Sequence, residues 1–199
     1  RTLEEAIKGS DIFFGVSVAK AVTKDMVKSM GSKPIIFALA NPDPEIIPEE
    51  VQSVRNDAIV ATGRSDYPNQ INNVLGFPYI FRGALDVQAR GINDEMKVAA
   101  ARALAELARE DVPDEVSGAY SGRHLQFGPD YLIPTPFDPR LISAVPPAVA
   151  AAAIKTGVAR RKVSNMDDYR ASLEARLDPT VGSLNEIFER VKKKPKCVV

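Results

Sequence analysis

Pro34-Ile35-Ile36-Phe37-Ala38-Leu39-Ala40 carries no charge and no polar side chain, and it stops abruptly at Asn41-Pro42-Asp43-Pro44. An unbroken apolar run of this length predicts a strand covered on both faces, as in parallel sheets. Two similar runs flank it. Upstream, Asp11-Ile12-Phe13-Phe14 is closed by Gly15; downstream, Ala58-Ile59-Val60-Ala61-Thr62 is closed by Gly63. Between the first and second runs, Thr23 is the expected N-cap of a helix reaching Met30, with Asp25 in its first turn and Gly31 at its end. Between the second and third, Pro48 starts a helix whose first turn holds Glu49 and Glu50, which suits its dipole. The order strand, helix, strand, helix, strand with short connections is a βαβαβ unit, and its crossovers are expected to be right-handed. This predicts an α/β chain containing a three-strand piece of a doubly wound parallel sheet.

Each predicted strand ends in something small or polar: Gly15-Val16-Ser17, Asn41-Pro42 and Gly63-Arg64-Ser65. Parallel strands bring those ends to one edge of the sheet, where open α/β sheets bind ligands. The third strand leads into Asp66-Tyr67-Pro68-Asn69-Gln70-Ile71-Asn72-Asn73-Val74-Leu75-Gly76-Phe77-Pro78. A plain connection needs turn formers, but not this many side-chain amides, each of which both donates and accepts. The three loops are expected to line one crevice. Within it, Asn72 and Asn73 are either Asx-turns that shape the loop or ligand contacts. Asn41 either caps a turn or touches a ligand. Arg64 and Asp66 either bind an anion or form a loop-fixing ion pair.

Outside this core, residues 2–9 read as the last turns of a helix and 78–87 as a further helix. Asn93 is expected to cap a long helix in which Ile92, Met96, Ala99, Ala100, Ala103, Leu104 and Leu107 recur at helical spacing. Residues 112–131 read as irregular. Asp138-Pro139 signals a helix start, and the alanine-rich 147–156 ends at Gly157, its small side chains suited to close packing. Helices are expected at 166–177 and 184–191, the second opened by the capping-box pattern Ser183-x-x-Glu186. Lys192 to Lys196 reads as a solvated linker.

Composition excludes several classes. The 199 residues are 45% hydrophobic and 26% charged, an ordinary globular balance. With 26 basic and 26 acidic residues there is no global field to attract nucleic acid. The longest apolar run, 144–154, is too short for a membrane span and contains Pro146 and Pro147. Cys197 is the only cysteine, which rules out a disulfide framework and suits the cytoplasm. No signal peptide opens the chain, and its start at Arg1 rather than Met suggests an upstream part cut away. There is no G-x-G-x-x-G and no P-loop lysine. His124 is the sole histidine, so a histidine zinc site is poorly supported. From the residues alone, the result is an amide-rich crevice without a complete catalytic set.

Ile36-Phe37-Ala38-Leu39-Ala40-Asn41-Pro42, the segment from Ala61 through Val74, Phe77-Pro78-Tyr79-Ile80-Phe81-Arg82-Gly83-Ala84-Leu85-Asp86 and Ile92-Asn93-Asp94-Glu95-Met96-Lys97 resemble the malic enzymes, in their bacterial, NADP-dependent form. The tail Pro195-Lys196-Cys197-Val198-Val199 resembles the junction to a phosphotransacetylase-like domain in the hybrid members. The resemblance implies a partial Rossmann-like sheet with a helical C-terminal extension. Residues 1–110 would be the C-terminal part of an NAD(P)-binding domain, 111–191 an irregular segment and closing helices, and 192–199 a linker. It implies oxidative decarboxylation of malate to pyruvate and CO2, with NADP or NAD as hydride acceptor and Mg2+ or Mn2+ as Lewis acid, in a homo-oligomer. By the same resemblance Asn73 binds a malate carboxylate, Asn41 sits at both cofactor and substrate, and Ser17 and Val18 pass the cofactor's adenosine part. The family's catalytic tyrosine, lysine base and metal ligands lie upstream, so no residue here inherits those roles and the chain alone is expected to be inactive. A rival reading is a non-catalytic nucleotide-binding or assembly module on the same sheet.

Overall fold

A computed structural model describes residues 2–119 and 125–177. The expectations at His124, Ser183–Glu186, 184–191, 192–196 and Cys197 lie outside the described residues. The remainder forms two compact units, one drawn from Arg1–Leu75 and Ala105–Asp138, the other from Gly76–Leu104 and Pro139–Val199.

In the first unit, α1 (Leu3–Ile7) opens with a capping box in which Thr2 and Glu5 satisfy each other's backbone. Strand β1 (Ile12–Gly15), helix α2 (Lys24–Ser29), strand β2 (Ile35–Ala38), helix α3 (Pro48–Gln52) and strand β3 (Ile59–Thr62) follow in the expected alternation. Thr23 caps α2 through its side chain, and Pro48 sits at the first position of α3. The strands lie in the order β1-β2-β3, all parallel, with Ile12 beside Ile35 and Ile35 beside Ile59. Arg55 ties the rear of the unit together, donating to the carbonyls of Val27 and Gly31 and pairing with Asp57. That guanidinium, with the Lys33 N–H, holds the Asp57 carboxyl well below the usual carboxylate range.

No residue of β2 is exposed, whereas β1, expected to be buried, is covered on one face only. The core lies on the face bearing Phe13, Ile36 and Ala38, which pack with Val22, Val27 of α2, Ile46 and Val51 of α3. On the opposite face Ile12 is 60% and Phe14 62% exposed, Phe14 lying 6.1 Å ring to ring from the half-buried Phe37, while Ala61 of β3 on that same face is buried. The reason is topological. A sheet that grows in one direction through crossovers of one hand places all its connecting helices on the same side. Composition reports how apolar a strand is, and it cannot report which side the next helix takes.

Residues 112–131, expected to be irregular, contain α6 (Asp114–Ala119). Val116 anchors it in a small cluster with Ala108, Val112 and Tyr131.

In the second unit, α4 (Phe77–Asp86) packs against α7 (Leu141–Lys155), and α7 against α8 (Met166–Glu174). Helix α7 runs straight through Pro146 and Pro147. The close approach to α4 is made at Pro146 and Val149, not at an alanine: a Cβ on Gly83 of α4 would lie 2.5 Å from the Pro146 carbonyl oxygen. Tyr169 of α8 donates to Asp86 of α4 at 2.7 Å, and Asp86 also pairs with Arg82. Burial, together with that bond, raises the Tyr169 hydroxyl's pKa. Helix α5 (Asp94–Leu107) is capped by the Asn93 side chain, whose Oδ1 accepts from the Met96 N–H at 3.0 Å. Met96, Ala100, Ala103 and Leu107 form its buried stripe. No helix among the described residues is long and apolar enough to cross a membrane.

Candidate functional site

The three loops leaving β1, β2 and β3 stand at the carboxyl edge of the sheet, because the register keeps Gly15, Ala38 and Thr62 level. Two side chains join these loops to one another. The first is Glu45, fully buried just beyond β2. Its Oε1 accepts from the Ser17 N–H at 2.7 Å and from the Ser17 hydroxyl at 3.0 Å, while Oε2 accepts from the Ala40 N–H at 3.0 Å. Burial alone would push this carboxyl up. The N–H groups of Ser17 and Ala40 and the Ser17 hydroxyl overcome that and hold it below its ordinary value, so it is ionised at neutral pH. Two backbone bonds reinforce the seam, Lys20 N–H to the Pro44 carbonyl and Val22 N–H to the Glu45 carbonyl.

The second joint is Arg64. Its guanidinium pairs with Asp66 through two bonds, at 2.9 and 2.6 Å, and reaches Asp43 of the β2 loop at 3.7 Å. It also lies over the Tyr67 ring at 5.3 Å. The bond from Arg64 holds the Asp66 carboxyl below the usual range. Of the two readings open for this pair, the loop-fixing one describes the geometry. Each exposed ion pair contributes modestly to stability, and together they set the spacing of the second and third loops.

The asparagines of the third loop divide their work. Asn69 is 6% exposed and adopts a left-handed backbone at φ 55°. Its amide donates to the carbonyls of Val60 and Pro129 and accepts from the Leu132 N–H. Asn72 accepts from the Val74 N–H at 3.0 Å, a shaping Asx-turn. Asn73 opens a single 3-10 turn ending at Leu75, and its side chain is exposed and bonds to no described residue. Asn41, joined to Pro42 by a cis peptide bond, is likewise exposed and bonds through its side chain to no described residue. Ser17 and Val18 occupy the first loop, where Val16 and Val18 are 72% and 68% exposed. The structure therefore brings Ser17 and the backbone beside Asn41 onto one carboxylate and leaves the side chains of Asn41, on the second loop, and Asn73, on the third, exposed.

Apolar side chains standing free at a sheet's carboxyl edge, beside open amides, suit the flat apolar face and polar rim of a nucleotide. A metal is a different matter: among the described residues no three of His, Cys, Asp and Glu cluster. A cavity of about 610 Å3 in the same unit is lined by Gln52, Asp66, Tyr67, Gln70, Asp130 and Thr135 among others. It holds none of Ser17, Val18, Asn41 or Asn73, so volume and chemistry point to different places. The sheet edge is the better candidate, because it carries the open hydrogen-bonding groups. Sequence reasoning missed Glu45. Its signal was present: a single carboxylate between Pro44 and the apolar pair Ile46-Ile47 is an acid placed where the chain is being buried.

Comparison with known proteins identifies relatives. The NADP-dependent malic enzyme of Rhizobium meliloti is 64% identical over all 199 residues, which make up 26% of that protein. The NADP-dependent malic enzyme of Escherichia coli K12 is 54% identical over the same span, again 26% of its length. Among solved structures, Entamoeba histolytica malic enzyme matches 94% of this chain and 36% of its own, at 38% identity and a TM-score of 0.75. The chain spans about a quarter of the length of the curated relatives it matches. A family model described as "Malic enzyme, NAD binding domain" matches residues 1–118. The chain therefore belongs to the malic enzyme family, its residues 1–118 matching the family's NAD-binding domain.

Proposed function

We propose that this chain forms one wall of the crevice in which an enzyme binds malate and a nicotinamide dinucleotide and converts malate to pyruvate and CO2. The observation that carries this reading is the sheet edge itself, where the open amides of Asn41 and Asn73 stand on loops braced by Glu45 and Arg64. In this reading Asn73 donates to a malate carboxylate, and Asn41 touches both substrate and cofactor. Ser17 and Val18 pass the adenosine part. Neutral amides suit the task, since they orient an acid without neutralising it. The dinucleotide, NADP+ or NAD+, accepts the hydride, and Mg2+ or Mn2+ acts as Lewis acid; the metal ligands and the proton-transfer groups lie outside these residues. Residues 1–110 then belong to the dinucleotide-binding domain, 111–191 close it, and 192–199 lead to a further domain. We further propose a cytoplasmic homo-oligomer.

The test is Asn73→Ala in the full-length polypeptide. Losing one hydrogen bond to a carboxylate corresponds to a fall of roughly ten- to a hundredfold in kcat/KM for malate, expressed mainly in KM. Unchanged KM and kcat in that variant would remove Asn73 from the site. Conversely, the 199-residue chain by itself should not oxidise malate with Mn2+ present, and turnover by it would overturn the placement of the catalytic groups elsewhere.

A further inference from the structure

We propose that Glu45 is a positioning residue for the dinucleotide: it locks the Ser17–Val18 loop to the end of β2 and so builds the cofactor surface before the cofactor arrives. This rests on the functional reading above. The carboxylate is fully buried, and no cation among the described residues pairs with it. A buried charge without a counter-ion is costly, and an aliphatic side chain would fill the same volume without that cost. What an aliphatic residue lacks is acceptors aimed at two separate loops. Oε1 is engaged by Ser17 alone, through its N–H and its hydroxyl, and Oε2 by the Ala40 N–H. Both neighbours include backbone donors, so both oxygens must accept. A glutamine has one oxygen and one NH2, and would set a donor against a donor on one side or the other. Room is made for the carboxylate by Gly15, where a Cβ would stand 2.5 Å from both Cδ and Oε1 of Glu45. The residues joined in this way are Ser17 and the immediate neighbour of Asn41, which are the first and second loops of the proposed cofactor surface. The third loop, which carries Asn73, has no bond to Glu45 among the described residues.

That asymmetry gives the role a signature that general destabilisation lacks. In the full-length polypeptide, Glu45→Gln should raise the KM and the Kd for NADP+ or NAD+ by about tenfold. At saturating dinucleotide kcat should stay within about threefold. The malate KM should rise by less than the dinucleotide KM, because Glu45 holds the backbone beside Asn41 but has no bond among the described residues to the loop of Asn73. Glu45→Asp keeps two acceptors on a stem one methylene shorter and should fall between wild type and Gln. It also serves as the probe should the Gln variant fail to fold. Folded variants with unchanged dinucleotide KM and Kd would overturn the proposal. So would a parallel loss in malate and dinucleotide KM accompanied by a lowered Tm, which is the pattern of a purely structural residue. Direct dinucleotide binding separates this inference from the functional reading. A wild-type protein that binds dinucleotide without oxidising malate defeats the reading, and Glu45→Gln still decides the positioning role. A wild-type protein that binds no dinucleotide defeats both.

Discussion

Three asparagines within five positions, Asn69, Asn72 and Asn73, read alike in the sequence and do three different things. Asn69 is structural: its amide satisfies two carbonyls and one N–H from two separate segments, Val60 on one side and Pro129 and Leu132 on the other. Asn also tolerates the left-handed backbone found there better than most residues. Asn69→Ala would remove the partner of three part-buried backbone groups, at a cost of about 2 kcal/mol. Urea unfolding should register it as a lower midpoint with an unchanged slope; a shift below about 0.5 kcal/mol would show the bonds to be replaced by water. The amides were legible by type, because amides at a strand's carboxyl end are unusual in a plain connection. Their separate roles were not, since what distinguishes Asn69 is a partner sixty residues away. The burial of Glu45 was signalled by its apolar neighbours, but its bridging role was not, because its donors come from loops that only the folded sheet brings together.

Elements were read most easily where local chemistry sets them. Strands β1, β2 and β3 are apolar runs with sharp ends, and Thr23, Pro48 and Asn93 start their helices as side-chain chemistry requires. Helix α6 escaped because Asp114-Glu115-Val116-Ser117-Gly118-Ala119 has no amphipathic period and is held by the packing of Val116. Helix α7 passes through Pro146 and Pro147, whose missing N–H groups give up two helical bonds. Val145, Pro146, Val149, Ala150 and Ala153 are all buried along it, and packing of that extent outweighs the loss. The contact of α4 with α7 makes a sharp prediction. Alanine is the better helix former by about 1 kcal/mol, so Gly83→Ala would stabilise an isolated helix. Here the new methyl would also meet Val149 Cβ at 2.8 Å, in addition to the Pro146 carbonyl. Backbone atoms cannot swing aside, so the net outcome should be destabilisation by about 1–2 kcal/mol. A thermal unfolding midpoint equal to or above wild type would show that the two helices can separate at little cost.

At the scale of the whole molecule, the bare side of the sheet is the dominant fact. Ile12 and Phe14 present adjacent apolar surface that no described element covers. Surfaces of this kind drive association when left in water. The 199-residue chain, prepared alone, should therefore self-associate at micromolar concentration, and Ile12→Ser with Phe14→Ser should shift it toward monomer in sedimentation velocity. A monomeric parent chain would show this face to be too small to matter. The topology behind that face has another consequence, which concerns time rather than space. Ile12 pairs with Ile35 and Ile35 with Ile59, so every strand finds its neighbour in the next strand that synthesis delivers. No strand waits for a distant partner, and the entropy of closing each loop is small. The sheet can thus be laid down in the order in which it leaves the ribosome, each new strand docking on an edge already formed.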